Sequence, residues 1–163
     1  MFQERLKQTL WQFPLLIVMA FLIALLVNHW RGDGIALVGN WSEEARFSDY
    51  TGQSMVIGLE KARQLFEKDA AIFLDARPQY QYAEGHIQGA LCIPWQEVDR
   101  FFMEIVDLLE PSRTIITYCD GETCDLSHEL ALFLIEMGFE DVRVLVNGWT
   151  VWLQADLPTQ MGK

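Results

Sequence analysis

The sequence predicts an α/β fold, a mostly parallel central sheet with helices on both faces, preceded by one transmembrane helix. An uncharged apolar run near the N-terminus predicts the membrane helix, and from Met55 onward strand and helix signals alternate at short intervals. Within that alternation, Thr114 to Cys124 reads as a buried strand that delivers a cysteine into a tight loop just before a helix. Short alternating β and α segments imply parallel strands whose two faces are both covered.

Between Lys7 and Arg31 no residue is charged, and every residue from Phe13 to Val27 is apolar. As a helix, Leu10 to Trp30 covers roughly 30 Å, the hydrocarbon thickness of a bilayer. Trp11 and Trp30 flank the run at the two interfaces, and Pro14 lies near its start, where a helix tolerates it. The competing reading is a cleaved secretory signal, but Asn28, His29 and Trp30 are poor substitutes for the small residues of a cleavage site. Residues 1–30 are therefore expected to be a retained single-pass anchor. Arg5, Lys7 and the amino terminus outweigh Arg31, which places the N-terminus inside and the rest of the chain outside, in the periplasm of a bacterial cell.

Residues 31–54 mix Gly, Asn, Ser and acidic residues and read as a juxtamembrane connector with one short strand at Ile35–Val38. The domain proper is expected over 55–158, with 159–163 as a tail. Inside it, Leu59–Lys68 reads as helix, Ala71–Leu74 as extended, Pro78–Ala83 as a short helix, Ala90–Ile93 as extended and Glu97–Leu109 as helix. Thr114–Tyr118 is an uncharged run rich in β-branched residues, hence a strand. From Cys124 to Met137, apolar Leu126, Leu130, Phe133, Leu134 and Met137 recur at helical spacing, and Gly138 stops the helix. Val142–Val146 then reads as a strand and Trp149–Gln154 as a last helix.

From Arg31 onward the chain carries ten basic and twenty-two acidic residues, a net charge near −12. That balance argues against nucleic acid or an anionic lipid surface as a partner. Three cysteines do not make a disulfide scaffold, because the apolar fraction suffices for a core and one thiol is left over. Cys92, between Leu91 and Ile93, belongs to the core, as do Trp149 and Trp152, three apart on one face of a short helix.

Cys119 sits between a strand end and a helix start, among backbone N–H groups that stabilise a thiolate. Such a place suits a nucleophile or a sulfur carrier. Asp75, Cys119 and Asn147 each follow a predicted strand, so they should gather at the carboxyl edge of the sheet, where ligands bind in this architecture. His86, His128, Cys119 and Cys124 contain the residue types of a zinc site but lack its paired short spacings, so no metal is expected.

These residues resemble the rhodanese-like domains. The match runs through Leu74-Asp75-Ala76-Arg77-Pro78 and Tyr82, Gly85-His86-Ile87-Gln88-Gly89-Ala90, Ile93-Pro94, Tyr118-Cys119 and Asn147-Gly148-Trp149 with Trp152. The resemblance implies that Cys119 is the catalytic residue, taking sulfur from a donor as a persulfide and passing it to a thiol or other nucleophile. No cofactor is implied beyond that covalent intermediate. The cradle would be Asp120, Gly121, Glu122, Thr123 and Cys124, with Asp75 and Arg77 fixing the surrounding loops through hydrogen bonds and ion pairs. The partners implied are a sulfur donor and a thiol acceptor, and the anchor suggests an acceptor at the membrane.

The departures from the family pattern are acidic. Where many active members carry Arg or Lys, this loop has Asp120 and Glu122, with Asp125 just beyond it. A negative charge about 7 Å from the thiol opposes an incoming anion by roughly 0.6 to 2.4 kcal/mol, so thiosulfate is expected to be a poor donor. A related phosphatase is disfavoured on the same ground, since Asp125 stands where a phosphate-binding Arg is needed. Cys124, five residues from Cys119, is a candidate resolving thiol if the two Cα atoms come within about 7 Å. Two alternatives stay open beside the sulfur carrier: a Cys119/Cys124 dithiol–disulfide exchanger or sensor, and a non-catalytic docking module.

Overall fold

The computed structural model describes residues 2–32, 34, 35, 37, 39, 42–110, 113–121 and 124–162, with the backbone alone for 2–11. The chain divides into two compact units, 1–40 and 41–163.

The first unit is built on α1 (Phe2–Trp30), which contains Pro14. Within it Gln12–Trp30 is long and apolar enough to cross a membrane, and most of its large apolar side chains are exposed. Past its end, the Asn28 side chain clasps Ile35, donating to the carbonyl at 2.8 Å and accepting from the N–H at 2.7 Å. Ile35 and Leu37 lie in no strand, and Ala36 and Val38 are outside the described residues. The expected strand at Ile35–Val38 is thus corrected at Ile35, whose backbone is taken by a side chain instead of a neighbouring strand.

The second unit holds the sheet. Its elements are α2 (Glu43–Arg46), α3 (Leu59–Glu67), β1 (Ala71–Asp75), α4 (Gln79–Glu84), β2 (His86–Ile87) and β3 (Leu91–Cys92). They continue with α5 (Val98–Ile105), β4 (Thr114–Tyr118), α6 (Leu126–Glu136), β5 (Val142–Leu145), α7 (Gly148–Gln154) and β6 (Thr159–Gln160). The strand order is β3-β1-β4-β5, and every pairing is parallel. β2 and β6 form a separate antiparallel pair. The fold class is the one the sequence predicts.

Alternation along the strands builds two cores. Leu74, Ile115, Val142 and Val144 face one side, with Phe101 and Phe102 of α5 and Leu130, Ala131 and Leu134 of α6. Phe73, Ile116, Tyr118 and Leu145 face the other, with Ala62 of α3 and Trp152 of α7. Each fully buried large side chain contributes about 1.5 to 3 kcal/mol of transfer free energy. Trp152 is fully buried, its ring edge-on to Phe66 and Phe73, and its indole N–H donates to the Pro158 carbonyl at 2.9 Å.

Two stretches differ from the sequence reading. In the expected connector, Ser42 caps α2 and Phe47 is 1% exposed in the first core, so folded structure starts before Met55. In the expected tail, Thr159 and Gln160 pair with Ile87 and His86. Both additions give backbone groups partners, the Phe47 carbonyl accepting from the Met55 N–H at 2.8 Å and β6 pairing with β2, where an unpaired N–H or C=O is costly.

Candidate functional site

Parallel register sets the site. Asp75 pairs with Tyr118 and Tyr118 with Leu145, so the carboxyl ends of β1, β4 and β5 line up. Asp75, Cys119 and Asn147 therefore converge at one edge of the sheet. Cys119 is 0% exposed there, directly after the central strand β4.

The loop after Cys119 curls back on itself. Cys119 and Cys124 form a disulfide with their Cα atoms 6.5 Å apart. Gly121 occupies the left-handed region at φ 88°, which glycine adopts without a Cβ clash. Its N–H donates to Asn147 Oδ1 at 2.8 Å, and the Cys124 N–H donates to the Gly121 carbonyl at 3.2 Å. In this closed form, then, those two amides donate to other oxygens. Glu122 and Thr123 lie outside the described residues.

Two of the acids expected to repel anions have partners. Asp120 accepts a short hydrogen bond from the Thr150 hydroxyl, and Asp125 pairs with Arg46 at 3.2 Å. Between Cys119 and Asp125, every charged side chain is acidic.

Asp75 and Arg77 form a buried ion pair at 2.6 Å. Arg77 also donates to the Gly85 carbonyl at 2.7 Å, and its guanidinium lies 4.7 Å from the Trp149 ring centroid. Burial works to lower the Arg77 pKa, but the Asp75 hydrogen bond and charge win and raise it. The Tyr118 phenol is pushed up, first by burial and then by the Asp75 carboxylate, and its oxygen accepts from the Ile87 N–H at 3.1 Å. Trp152 is core, whereas Trp149 is half-buried and carries Arg77 on its face. The Trp149 N–H donates to the Cys119 carbonyl at 3.1 Å.

The histidines are held apart by separate structural contacts. His86 stacks on Tyr82 at 3.7 Å and places Nδ1 2.8 Å from the Tyr82 carbonyl. His128 places Nε2 3.0 Å from the Ser48 carbonyl, edge-on to Phe47. Among the described residues no group of three or more His, Cys, Asp or Glu is arranged to hold a metal. Cys92 is half-buried beside Tyr82, and its thiol is pushed up to about 12, first by burial and then by Asp75.

One group at the site escaped the sequence reading. Ser127, in the first turn of α6, is 1% exposed and holds its hydroxyl 3.3 Å from Cys119 Sγ. Its signal was positional: it is in phase with buried Leu130, Ala131 and Leu134, a polar residue on an apolar stripe.

A family model described as "Rhodanese-like domain" matches residues 59–155. The chain is 30% identical over 96 residues to thiosulfate sulfurtransferase GlpE of Pseudoalteromonas translucida, covering 59% of this chain and 86% of that protein. It is 32% identical over 104 residues to the GlpE of Actinobacillus pleuropneumoniae, covering 64% of this chain and 91% of that one. It is also 31% identical to the HTH-type transcriptional regulator Rv0324 of Mycobacterium tuberculosis, of whose length it spans 40%. Among solved structures, the rhodanese-like domain of an Anabaena protein superposes with a TM-score of 0.56 at 26% identity, over 67% of this chain and 80% of that one.

Proposed function

Because the chain belongs to the rhodanese-like domain family, we propose that it is a membrane-anchored sulfurtransferase that carries sulfane sulfur on Cys119. One observation carries this reading: Cys119 stands at the carboxyl end of the central strand, in a loop closed against a helix start and joined to a second cysteine. The N-terminal apolar helix supports the anchor.

Loading begins when the Cys119 thiolate attacks the outer sulfur of a donor persulfide, R–S–SH. The donor S–S bond breaks, R–S⁻ leaves with the electron pair and takes up a proton, and Cys119 becomes a persulfide. An acceptor thiolate then attacks the outer sulfur and frees the Cys119 thiolate. Cys124 provides a second exit: its thiolate attacks Cys119 Sγ, the disulfide forms and hydrosulfide leaves. The sulfane sulfur is reduced by two electrons as the two thiols are oxidised. No metal or organic cofactor enters either route.

The acidic loop favours donors of low charge over dianionic thiosulfate, which sets this chain apart from relatives named as thiosulfate sulfurtransferases. Peptide mass mapping after exposure to an organic persulfide tests the reading. One added sulfur on Cys119 is expected, abolished by Cys119→Ser and retained by Cys124→Ser.

The disulfide itself favours a second reading, dithiol–disulfide exchange. Loss of two hydrogens across Cys119 and Cys124 with no sulfur added at any stage selects it. A reporter fused after Gln160 tests the side of the membrane, with activity in the periplasm expected.

A further inference from the structure

Ser127 Oγ has one polar neighbour among the contacts of the described side chains, Cys119 Sγ at 3.3 Å, and both residues are buried. The serine is held in place from below. Its own carbonyl accepts the Thr117 hydroxyl at 2.8 Å, which ties the first turn of α6 to β4 two residues before the cysteine. The two sulfurs of the disulfide differ in access: Cys119 is 0% exposed, whereas Cys124 is half-buried at the loop surface.

We propose that Ser127 is a catalytic residue whose hydroxyl donates to the Cys119 sulfur and stabilises its thiolate, so that an incoming thiol opens the disulfide by attacking Cys124. This deepens the sulfur-carrier reading and rests on it. A thiolate has no proton to give, so in that state the serine must be the donor of the pair. The step balances. An external thiolate attacks Cys124 Sγ, the Cys119–Cys124 bond breaks, and its electron pair stays on Cys119 Sγ under the Ser127 hydroxyl. A mixed disulfide remains on Cys124, and a second thiol releases it as an external disulfide, so two thiols supply the two electrons. Thiol–disulfide exchange runs faster when the leaving thiol has the lower pKa. The same hydrogen bond raises the thiolate fraction available to attack a donor.

The charged and titratable groups of the surrounding elements include Asp75 at the end of β1 and Arg77 after it, Tyr118 in β4, Asp120, Cys124 and Asp125 in the loop, His128, Glu129 and Glu136 on α6, and Arg143 in β5. Glu122, in the same loop, is outside the described residues. Replacing Ser127 leaves all of these in place. A hydrogen bond to a charged acceptor corresponds to about one to two pH units, or ten- to a hundredfold in thiolate fraction below the midpoint.

The test uses the full chain in detergent. In a Cys124→Ser background, iodoacetamide alkylation of Cys119 is followed against pH by peptide mapping, where Cys92 stays a protonated thiol. Ser127→Ala is expected to move the Cys119 midpoint upward by about one to two units, and Ser127→Thr to restore it. An unmoved midpoint in a folded Ser127→Ala protein overturns the proposal. Independently of any variant at Ser127, the oxidised wild-type chain is treated with glutathione and quenched with acid and a maleimide. Glutathione on Cys124 with the maleimide on Cys119 is expected, and the reverse placement overturns the direction of opening. Neither readout involves sulfur loading, so failure of the carrier reading remains separate from failure of this one.

Discussion

Arg77 illustrates how a residue beside the site is held by structure. The residue is 3% exposed, and its guanidinium sits between the Asp75 carboxylate and the Gly85 carbonyl and lies over Trp149. Removing one partner of such a pair leaves an uncompensated buried charge. Arg77→Met is therefore expected to destabilise the domain by about 3 to 5 kcal/mol, read from urea unfolding by tryptophan fluorescence, with Asp75→Asn added to Arg77→Met regaining part of the loss. A double variant no more stable than Arg77→Met alone would show that the cost lies in the Trp149 and Gly85 contacts. The places of Asp75 and Cys119 at the carboxyl edge of the sheet were legible in the sequence, because they stand at or just past the ends of strands whose residues announce them, whereas Arg77 came with the resemblance. Ser127 was not legible, since a serine becomes a sulfur ligand only once helix phase and loop closure bring it to Cys119. The partner of the Gly121 N–H was hidden for a related reason: Asn147, which accepts it, lies twenty-six residues further along the chain.

At the scale of elements, the start of α7 bears most directly on the site. A Cβ added at Gly148 would lie 2.6 Å from the Tyr118 Cβ, so the close approach of α7 to β4 depends on having no side chain there. The next N–H, that of Trp149, holds the Cys119 carbonyl. Gly148→Ala is expected to cost about 1 to 3 kcal/mol by overpacking and to slow sulfur loading of Cys119 as α7 shifts. Normal loading and unchanged unfolding in that variant would mean that the backbone yields without disturbing the cysteine. The parallel strands and long helices were legible because burial imposes periods of two and of 3.6 on the sequence. β2 and β6 span two residues each, too few to show a period, and Phe47 stands between Trp41 and Tyr50 in a mostly polar stretch with no steady periodicity. Ile35–Val38 shows the converse, an apolar stretch that reads as strand while Asn28 takes the backbone of Ile35.

At the scale of the whole molecule, charge is the property that reaches beyond the site. The net charge near −12 from Arg31 onward was fully legible, whereas the partners of Asp120 and Asp125 had to come from the fold, since Thr150 and Arg46 lie far from them in sequence. Those local pairs reduce the repulsion at the loop but leave the overall field, which acts on any anion approaching Cys119. Salt screens such a field, with a Debye length of about 10 Å at 0.1 M and about 30 Å at 0.01 M. A doubly charged donor feels it more than a singly charged one. For thiosulfate, kcat/KM is therefore expected to rise severalfold as inert salt increases over that range, while an organic persulfide of lower charge changes less. Asp120→Asn should raise the thiosulfate value at low salt and flatten its salt dependence, because it removes one of the charges that screening would hide. If thiosulfate turnover instead fell with salt, attraction would dominate its approach, and a cationic contact would have to be sought outside the loop, whose charged side chains are all acidic, or in a partner protein. The opposite signs of the two outcomes let one titration distinguish a carrier that disfavours anions from one that recruits them.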